Sequence, residues 1–221
     1  ELFFEHIKKL NLRNSIFVDN TANENIANEY GRYLAHNIGV VTCNKIACAS
    51  TLSNYTDLKK TSRRFGTPFL FETNVGAGLP VIDTLNNLIA SGDEIIKIQA
   101  ILSGSLNFVF NKFTPETSFK DIVKSAQTEG YTEPDPKIDL SGVDVARKIL
   151  ILARESGFEI ELSDVENKAF LPEEVLNTDS NEAFYQMIEK NESHFQTLLA
   201  NANSKGARLK YVAQLENGKA S

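Results

Sequence analysis

An acidic turn with two prolines stands out in the stretch from Gly130 to Arg154, which reads GYTEPDPKIDLSGVDVARKILILAR. Glu133, Asp135 and Asp139 are spaced around the prolines. Proline fixes its own backbone angle and restrains the residue before it, so the carboxylates of this turn can point in only a few directions. Carboxylates held in this way suit the binding of a cationic group on a small substrate.

The same stretch continues into an apolar segment in which Asp144 and Lys148 are four residues apart. In a helix this spacing places both side chains on one face. The apolar run Ile149–Leu152 follows at once, so the ammonium group is expected to lie beside buried surface and not on an open rim. The alternative is purely structural, because exposed acid–lysine pairs at this spacing commonly add only about 0.2–0.5 kcal/mol to a helix. The concentration of ionisable groups around two prolines favours a polar site.

Composition narrows the function classes further. The chain has 221 residues, of which 42% are hydrophobic, and a net charge of -6. A core of useful size is therefore expected, while the negative charge argues against a general nucleic-acid surface. No apolar run approaches the roughly 18 residues that would span a bilayer, and no signal peptide is recognisable, so we expect a cytoplasmic protein without a membrane partner. Cys43 and Cys48 fit no metal or disulfide spacing and are expected to be small buried side chains.

Strands and helices must position these side chains. Three apolar strands are predicted, separated by two helices: strands at Ser15–Asp19, Gly39–Thr42 and Pro68–Glu72, and helices from Thr21 to His36 and over residues 54–64. This alternation is typical of a doubly wound α/β sheet with parallel strands. Ligands bind beyond the carboxyl ends of such strands, where Asp19–Ala22, Asn44–Lys45 and Glu72–Val75 are expected to lie.

After Gly92 the pattern changes to that of an α+β unit. We expect strands at Glu94–Leu102 and Leu209–Leu215, and helices at Leu106–Phe113, at Phe119–Thr128, from the acidic turn to about Ser156, and over residues 182–202. Asn217–Gly218 is a strong hairpin signal, but the returning strand is expected to be absent. Together with a start at Glu1 and not at methionine, this predicts a piece of a longer protein. The predicted domains are an incomplete nucleotide-binding domain over residues 1–74 and a substrate and dimerisation domain over 75–221.

The loop Gly76-Ala77-Gly78 partly matches a dinucleotide fingerprint, because it follows a strand and precedes a helix predicted at Leu79–Ala90. Val81, however, stands where the third glycine belongs, and a complete fingerprint normally follows the first strand of the fold. A turn that offers backbone carbonyls, or one that permits close packing, is the favoured interpretation.

Five motifs give the chain a family resemblance: VDNTA (18–22), VVTCNK (40–45), ETNVGAGLPV (72–81), ILSGSLNFVF (101–110) and the stretch 130–154 described above. With these motifs the chain resembles the homoserine dehydrogenase family, in particular the dehydrogenase part of bifunctional aspartokinase/homoserine dehydrogenases. The likeness extends to Pro172 and thins beyond it. It implies reduction of aspartate semialdehyde to homoserine with NADPH or NADH, in threonine, methionine and isoleucine biosynthesis, by a homodimer or higher homo-oligomer.

The resemblance also implies roles for single residues. Lys148 matches the group that donates and accepts the proton on the substrate oxygen. Glu133 and Asp144 match substrate ligands, and Asp139 matches an acid of the same site, although its position also suits the cap of the following helix. Lys45 matches a lysine between cofactor and substrate, with an ordinary loop lysine as the alternative. Thr21 matches a residue at the nicotinamide end of the cofactor.

A second set of matches concerns a monovalent cation such as sodium, which the family binds mainly through backbone carbonyls; the matching positions are Glu72, Val75, Ala77 and Leu79. The chain also departs from the family, because a glycine-rich first loop is missing and Ile46 replaces a common second lysine. We therefore expect this chain by itself to bind nicotinamide cofactor poorly. A noncatalytic regulatory or assembly module, and a related semialdehyde dehydrogenase, are the alternatives.

Overall fold

Helices and short parallel strands alternate in the first part of the chain, which we describe from a computed structural model of residues 2–221. The elements are α1 (Leu2–Leu10), β1 (Ile16–Asp19), α2 (Glu24–Ala27), α3 (Tyr30–Ala35), β2 (Gly39–Thr42), α4 (Ile46–Ala49), α5 (Leu52–Phe65), β3 (Phe69–Leu70) and α6 (Val81–Ala90). A 3₁₀ turn at Glu72–Asn74 connects β3 to the loop before α6.

The three strands pair in parallel in the order β1-β2-β3, as predicted. On one face of the sheet, Phe17 stacks on Tyr33 of α3 with ring centroids 4.2 Å apart, and Val40 is fully buried. On the other face, Val18 and Leu70 lie in register with Val41 and are more than half exposed. Helices of the described chain thus cover one face, and the doubly wound arrangement stays a prediction.

Two predicted elements of the first part differ from the observed ones, and one observed helix was not predicted. The predicted helix from Thr21 to His36 is divided into α2 and α3, because the amide groups of Glu29 and Arg32 bond to carbonyls three residues earlier. The third strand is only two residues long, since the backbone turns into the 3₁₀ helix at Glu72. Helix α4 was not expected, because four residues are too few to show a helical period.

The second part of the chain is mainly helical. Its elements are β4 (Lys97–Ala100), α7 (Gly104–Lys112), α8 (Phe119–Thr128), α9 (Pro136–Leu140), α10 (Val143–Glu155), α11 (Glu173–Leu176), α12 (Asn181–Lys190), α13 (Glu192–Asn203), β5 (Ala213–Glu216) and β6 (Lys219–Ala220). Strands β4, β5 and β6 form an antiparallel sheet in sequence order. The expectation of a missing return strand is wrong: β6 follows the Asn217–Gly218 turn and pairs with β5. The expected helix over 182–202 consists of α12 and α13.

Contacts between residues divide the chain into two compact units. The first contains the described residues up to Ile96 together with Arg147–Val165, and the second contains Lys97–Ala146 and Glu166–Ser221. Helix α10 therefore begins in the second unit and ends in the first. The predicted division into a nucleotide-binding domain over 1–74 and a substrate and dimerisation domain over 75–221 stays a prediction. Residue 1 lies outside the described residues.

Aromatic rings form much of the core of the second unit. Phe119 is fully buried and stacks on Phe195 with centroids 4.0 Å apart.

Cys48, in the first unit, is buried as expected, whereas Cys43 is half-buried. Among residues 2–221, no helix is both long enough and apolar enough to cross a membrane.

Gly142, just before α10, allows a direct test of the packing in the second unit. Its φ is +77°, and a Cβ atom there would lie 2.1 Å from the Tyr211 hydroxyl oxygen and 2.7 Å from Asn167 Oδ1. Gly130 has the same φ of +77°, with no atom within 4 Å of such a Cβ. We expect Gly130→Ala to cost about 1 kcal/mol from backbone strain alone, and Gly142→Ala about 2–4 kcal/mol because overpacking adds to it. Urea unfolding of both variants measures the difference, and equal unfolding midpoints would contradict the packing described.

Candidate active site

A buried polar network lies at the carboxyl edge of the parallel sheet. The Asp19 carboxylate accepts hydrogen bonds from the Tyr30 hydroxyl at 2.5 Å, the Thr21 amide at 2.8 Å and the Asn44 side chain at 3.1 Å. The hydroxyl groups of Tyr30 and Thr42 are also bonded, at 2.7 Å. Burial by itself would raise the pKa of Asp19, but these hydrogen bonds outweigh it and lower the pKa below the ordinary value of 3.8. The carboxylate is thus a fixed anchor for the loops around it.

The loops that carry Thr21 and Lys45 are joined through this network. The Asn44 side chain donates to the Asn23 carbonyl at 3.1 Å as well as to Asp19, so the loops after β1 and β2 are held together. Thr21 is exposed, and its hydroxyl accepts from the Asn23 amide at 3.1 Å. Lys45 is half-buried and immediately precedes α4. Both residues therefore lie at the edge predicted to bind ligand.

In the loop after β3, Gly76 is closely packed, whereas residues 77–80 are exposed. A Cβ atom on Gly76 would lie 2.6 Å from Val81 Cγ2, which explains the glycine by close packing, one of the two favoured interpretations. The Glu72 carboxylate accepts from the backbone amides of Ile82 at 2.7 Å and Asp83 at 2.8 Å, so it caps α6. Any cation at Glu72, Val75, Ala77 and Leu79 would consequently meet mainly backbone carbonyls.

In the second unit, hydrogen bonds to the Asp139 carboxylate stabilise the acidic turn. One oxygen of its carboxylate accepts from the Glu133 amide and the other from the Ser105 hydroxyl, both at 2.8 Å. The suggestion that Asp139 caps the following helix is wrong: Asp135 caps α9 by accepting from the Lys137 amide at 3.0 Å. The reason is that Pro136 starts a short helix of its own, which contains Asp139.

The turn is also held from outside by residues that the sequence analysis did not single out. The Pro134 carbonyl accepts from the side chains of Gln127 at 2.9 Å and Asn181 at 2.8 Å. Tyr185 donates in turn to Gln127 at 2.8 Å, while the Lys137 ammonium donates to the Thr178 carbonyl. No local sequence signal marks these residues. The backbone of the turn is therefore fixed, while the Glu133 side chain is exposed.

Asp144 and Lys148 lie one turn apart on α10, and both are half-buried. Ile149 and Leu150, which follow Lys148, are almost completely buried. The apolar residues after Lys148 are buried as expected, and the placement of its ammonium group beside them stays a prediction. The helix thus presents an acid and an amine on one face at the border of an apolar core.

Solved structures show which class of protein this fold defines. A crystal structure of a protein of unknown function from Candida auris superimposes with a TM-score of 0.92 at 34% identity, covering 100% of this chain and 63% of that one. A homoserine dehydrogenase of S. aureus superimposes with a TM-score of 0.68 at 23% identity, covering 98% of this chain and 46% of that one. The fold is therefore that of homoserine dehydrogenases.

Sequence comparison identifies the family itself. The pattern of the homoserine dehydrogenase family matches residues 80–221. The chain is 44% identical over 219 residues to the bifunctional aspartokinase/homoserine dehydrogenase of Haemophilus influenzae, and 41% identical over 208 residues to the homoserine dehydrogenase of Schizosaccharomyces pombe. These alignments cover 99% and 91% of this chain, but only 27% and 55% of the two relatives. The chain belongs to the homoserine dehydrogenase family and spans about a quarter to about half of these relatives.

Tyr30→Phe tests the Asp19 network. The variant removes one donor from a buried carboxylate, so we expect a loss of about 1–3 kcal/mol in unfolding free energy at pH 7. Because the pKa of Asp19 is lowered in the fold, its stabilising contribution is present above pH 3.8 and is lost as the pH falls below that value. The gap between wild type and Tyr30→Phe should therefore narrow in acid.

The matched control is Tyr33→Phe, on the same helix, which removes a hydroxyl and leaves the Asp19 network intact. Urea titrations at neutral and acidic pH measure both variants. A gap for Tyr30→Phe that stays constant down to pH about 3 would contradict the role of Asp19, since linkage requires the gap to shrink.

Proposed function

We propose that the complete protein is an NAD(P)-dependent oxidoreductase that reduces L-aspartate 4-semialdehyde to L-homoserine, with Lys148 as the proton donor. The observation that carries the proposal is the half-buried Lys148 one turn after Asp144 on α10, in a chain of the homoserine dehydrogenase family. Reduction of an aldehyde requires a hydride on carbon and a proton on oxygen. An ammonium beside apolar surface supports the second part, because weak solvent screening strengthens its attraction for the developing oxyanion.

Residues of the first unit suit one end of a nicotinamide cofactor. A bound NADPH or NADH would supply the hydride. Thr21 and Lys45 would meet its nicotinamide end, because the Asp19 network holds both of their loops at the ligand edge of the sheet. The Gly76 loop is a poor match for a diphosphate site, because Val81 occupies the position of the third glycine of the fingerprint and packs against Gly76. Thr21 and Lys45 are therefore the residues proposed to contact the cofactor.

Carboxylates of the second unit suit the amino end of the substrate. Glu133 has an exposed side chain on a braced backbone, and Asp144 lies in the first turn of α10. Both would attract the substrate ammonium group. Asp139 would contribute by fixing the Glu133 backbone, and Lys45 would approach the substrate from the cofactor side.

A sodium-like cation would bind at the main-chain carbonyls of Glu72, Val75, Ala77 and Leu79. Carbonyl oxygens can replace the water shell of an alkali ion, which supports this choice. The Glu72 carboxylate already accepts two backbone hydrogen bonds, so the ligands of the cation would come from main-chain carbonyls.

We further propose a doubly wound nucleotide-binding domain, a homodimeric or larger assembly and a cytoplasmic location, with threonine, methionine and isoleucine as end products of the pathway.

Lys148→Ala in the complete enzyme should lower turnover by roughly 10²–10⁴-fold, because general acid catalysis would be lost. The control is Arg147→Ala, which removes the neighbouring exposed cation from the same helix and should leave turnover close to wild type. Steady-state rates with saturating substrate and cofactor measure both. Unchanged turnover in Lys148→Ala would reject the assigned role.

Glu133→Gln in the complete enzyme should raise the KM for aspartate semialdehyde by roughly 10- to 100-fold, as expected for a lost charge-assisted contact of about 1.5–3 kcal/mol. Its KM for the cofactor should stay constant. Glu129→Gln is the matched control, since Glu129 caps the end of the preceding helix and bonds to the Ser125 hydroxyl. Equal substrate KM values in the two variants would argue against Glu133 as a ligand.

A further inference from the structure

Arg154 is a buried cation near the end of α10, inside the first unit. Its Nη1 atom donates to the carbonyls of Cys48 at 2.9 Å and Ser50 at 2.8 Å. Its Nε atom donates to the Ile160 carbonyl at 3.1 Å, and Nη2 donates to a carboxylate oxygen of Glu161 at 3.0 Å. One side chain thus joins separate segments of chain.

Two of these acceptors lie at the carboxyl end of α4. The last carbonyls of a helix have no partner within it, and a cation is favoured there by the helix dipole. A helix of four residues does not persist by itself, so its position depends on what holds its ends. At its start, the Lys45 carbonyl accepts from the Ala49 amide at 2.8 Å, and the Asn44 side chain accepts from the Ile46 amide at 3.1 Å. Arg154 therefore holds the far end of the helical turn that begins at Lys45.

Arg154 also belongs to the helix that carries Lys148. The two residues are six positions apart, which corresponds to about 9 Å along a rigid helix axis. The guanidinium accordingly connects α10, which carries Lys148, to α4, which begins directly after Lys45.

We propose that Arg154 is a positioning residue for the reaction: by holding the end of α4 against α10, it fixes Lys45 and Lys148 relative to each other. This inference rests on the proposed roles of those two lysines. The shape of the side chain supports it, because a planar guanidinium presents donors in fixed directions to four acceptors. A lysine offers three rotatable donors on a flexible stem and cannot reproduce that pattern.

Glu155 provides a matched control on the adjacent position of the same helix. It is also buried, and its carboxylate accepts from Lys59 at 2.9 and 3.0 Å and from the Tyr55 hydroxyl. These hydrogen bonds join α10 to α5, and none of them is made to α4. Glu155→Gln should therefore disturb the first unit without moving Lys45.

The experiment compares Arg154→Lys with Glu155→Gln in the complete enzyme. Both variants should unfold at lower urea concentration than wild type. Arg154→Lys should also lower kcat by about 10- to 100-fold, because a displacement of about 1 Å in catalytic groups has effects of this size. Hydrogen exchange of the backbone amides of residues 46–50 should become faster in Arg154→Lys and stay at the wild-type rate in Glu155→Gln.

Equal losses of kcat in the two variants would overturn the proposal, as would unchanged exchange of the α4 amides in Arg154→Lys. The exchange measurement needs no activity, so it separates a failure of this inference from a failure of the proposed function, which Lys148→Ala decides.

Glu161→Gln keeps the test decisive if Arg154→Lys does not fold. Glu161 is half-exposed and bonds to Arg154 and to the Leu52 amide, so its amide variant weakens the hold on the guanidinium without opening the core. In this variant too, we expect a lower kcat and faster hydrogen exchange of the amides of residues 46–50, with a smaller loss of kcat than in Arg154→Lys. Wild-type kcat together with wild-type exchange in this variant would contradict the proposal.

Discussion

A buried arginine must find an acceptor for each donor, and this requirement organises the first unit. Leaving a buried charge unpaired costs several kcal/mol, so the segments that supply the acceptors of Arg154 are held together by that cost. The acceptors lie around positions 50 and 160, on either side of the segment Lys97–Ala146 of the second unit in sequence. The same side chain therefore ties the returning segment Arg147–Val165 to the helices that follow β2. Without it, the last turn of α10 would lose its hydrogen bonds to the carbonyls of Cys48 and Ser50 at the end of α4.

The acidic turn shows how environment gives similar side chains different tasks. Asp139 has both oxygens engaged, by the Glu133 amide and the Ser105 hydroxyl, which makes it a support for the backbone. Asp135 caps a short helix. Glu133 has an exposed side chain on this fixed backbone, and it is the carboxylate of the turn that we propose as a substrate ligand. Supports of this kind reduce the conformational freedom that binding would otherwise remove.

Sequence patterns predicted the features that depend on local physics. The strand Gly39–Thr42 and the helix Phe119–Thr128 have the predicted bounds, because an apolar run and a helical period are visible within each segment. The family was predicted from five motifs and is confirmed by the match over residues 80–221. The braces of the turn could not be predicted, since Ser105 and Asn181 are 34 and 47 residues from their partners Asp139 and Pro134. One predicted helix is divided into α2 and α3 by backbone hydrogen bonds from Glu29 and Arg32 to carbonyls three residues earlier. Composition does not reveal such bonds.

We propose that the residues around the acidic turn and α10 form the substrate site of a homoserine dehydrogenase. The most direct test of this proposal is the reverse reaction of the complete protein: L-homoserine is added with NADP⁺ or NAD⁺, and the absorbance of the reduced nicotinamide is followed. We expect cofactor reduction that depends on homoserine and saturates with it, and little reduction when the hydroxy amino acid is shorter or longer by one methylene. If the complete, folded protein reduces neither cofactor in the presence of homoserine, the proposed function is wrong.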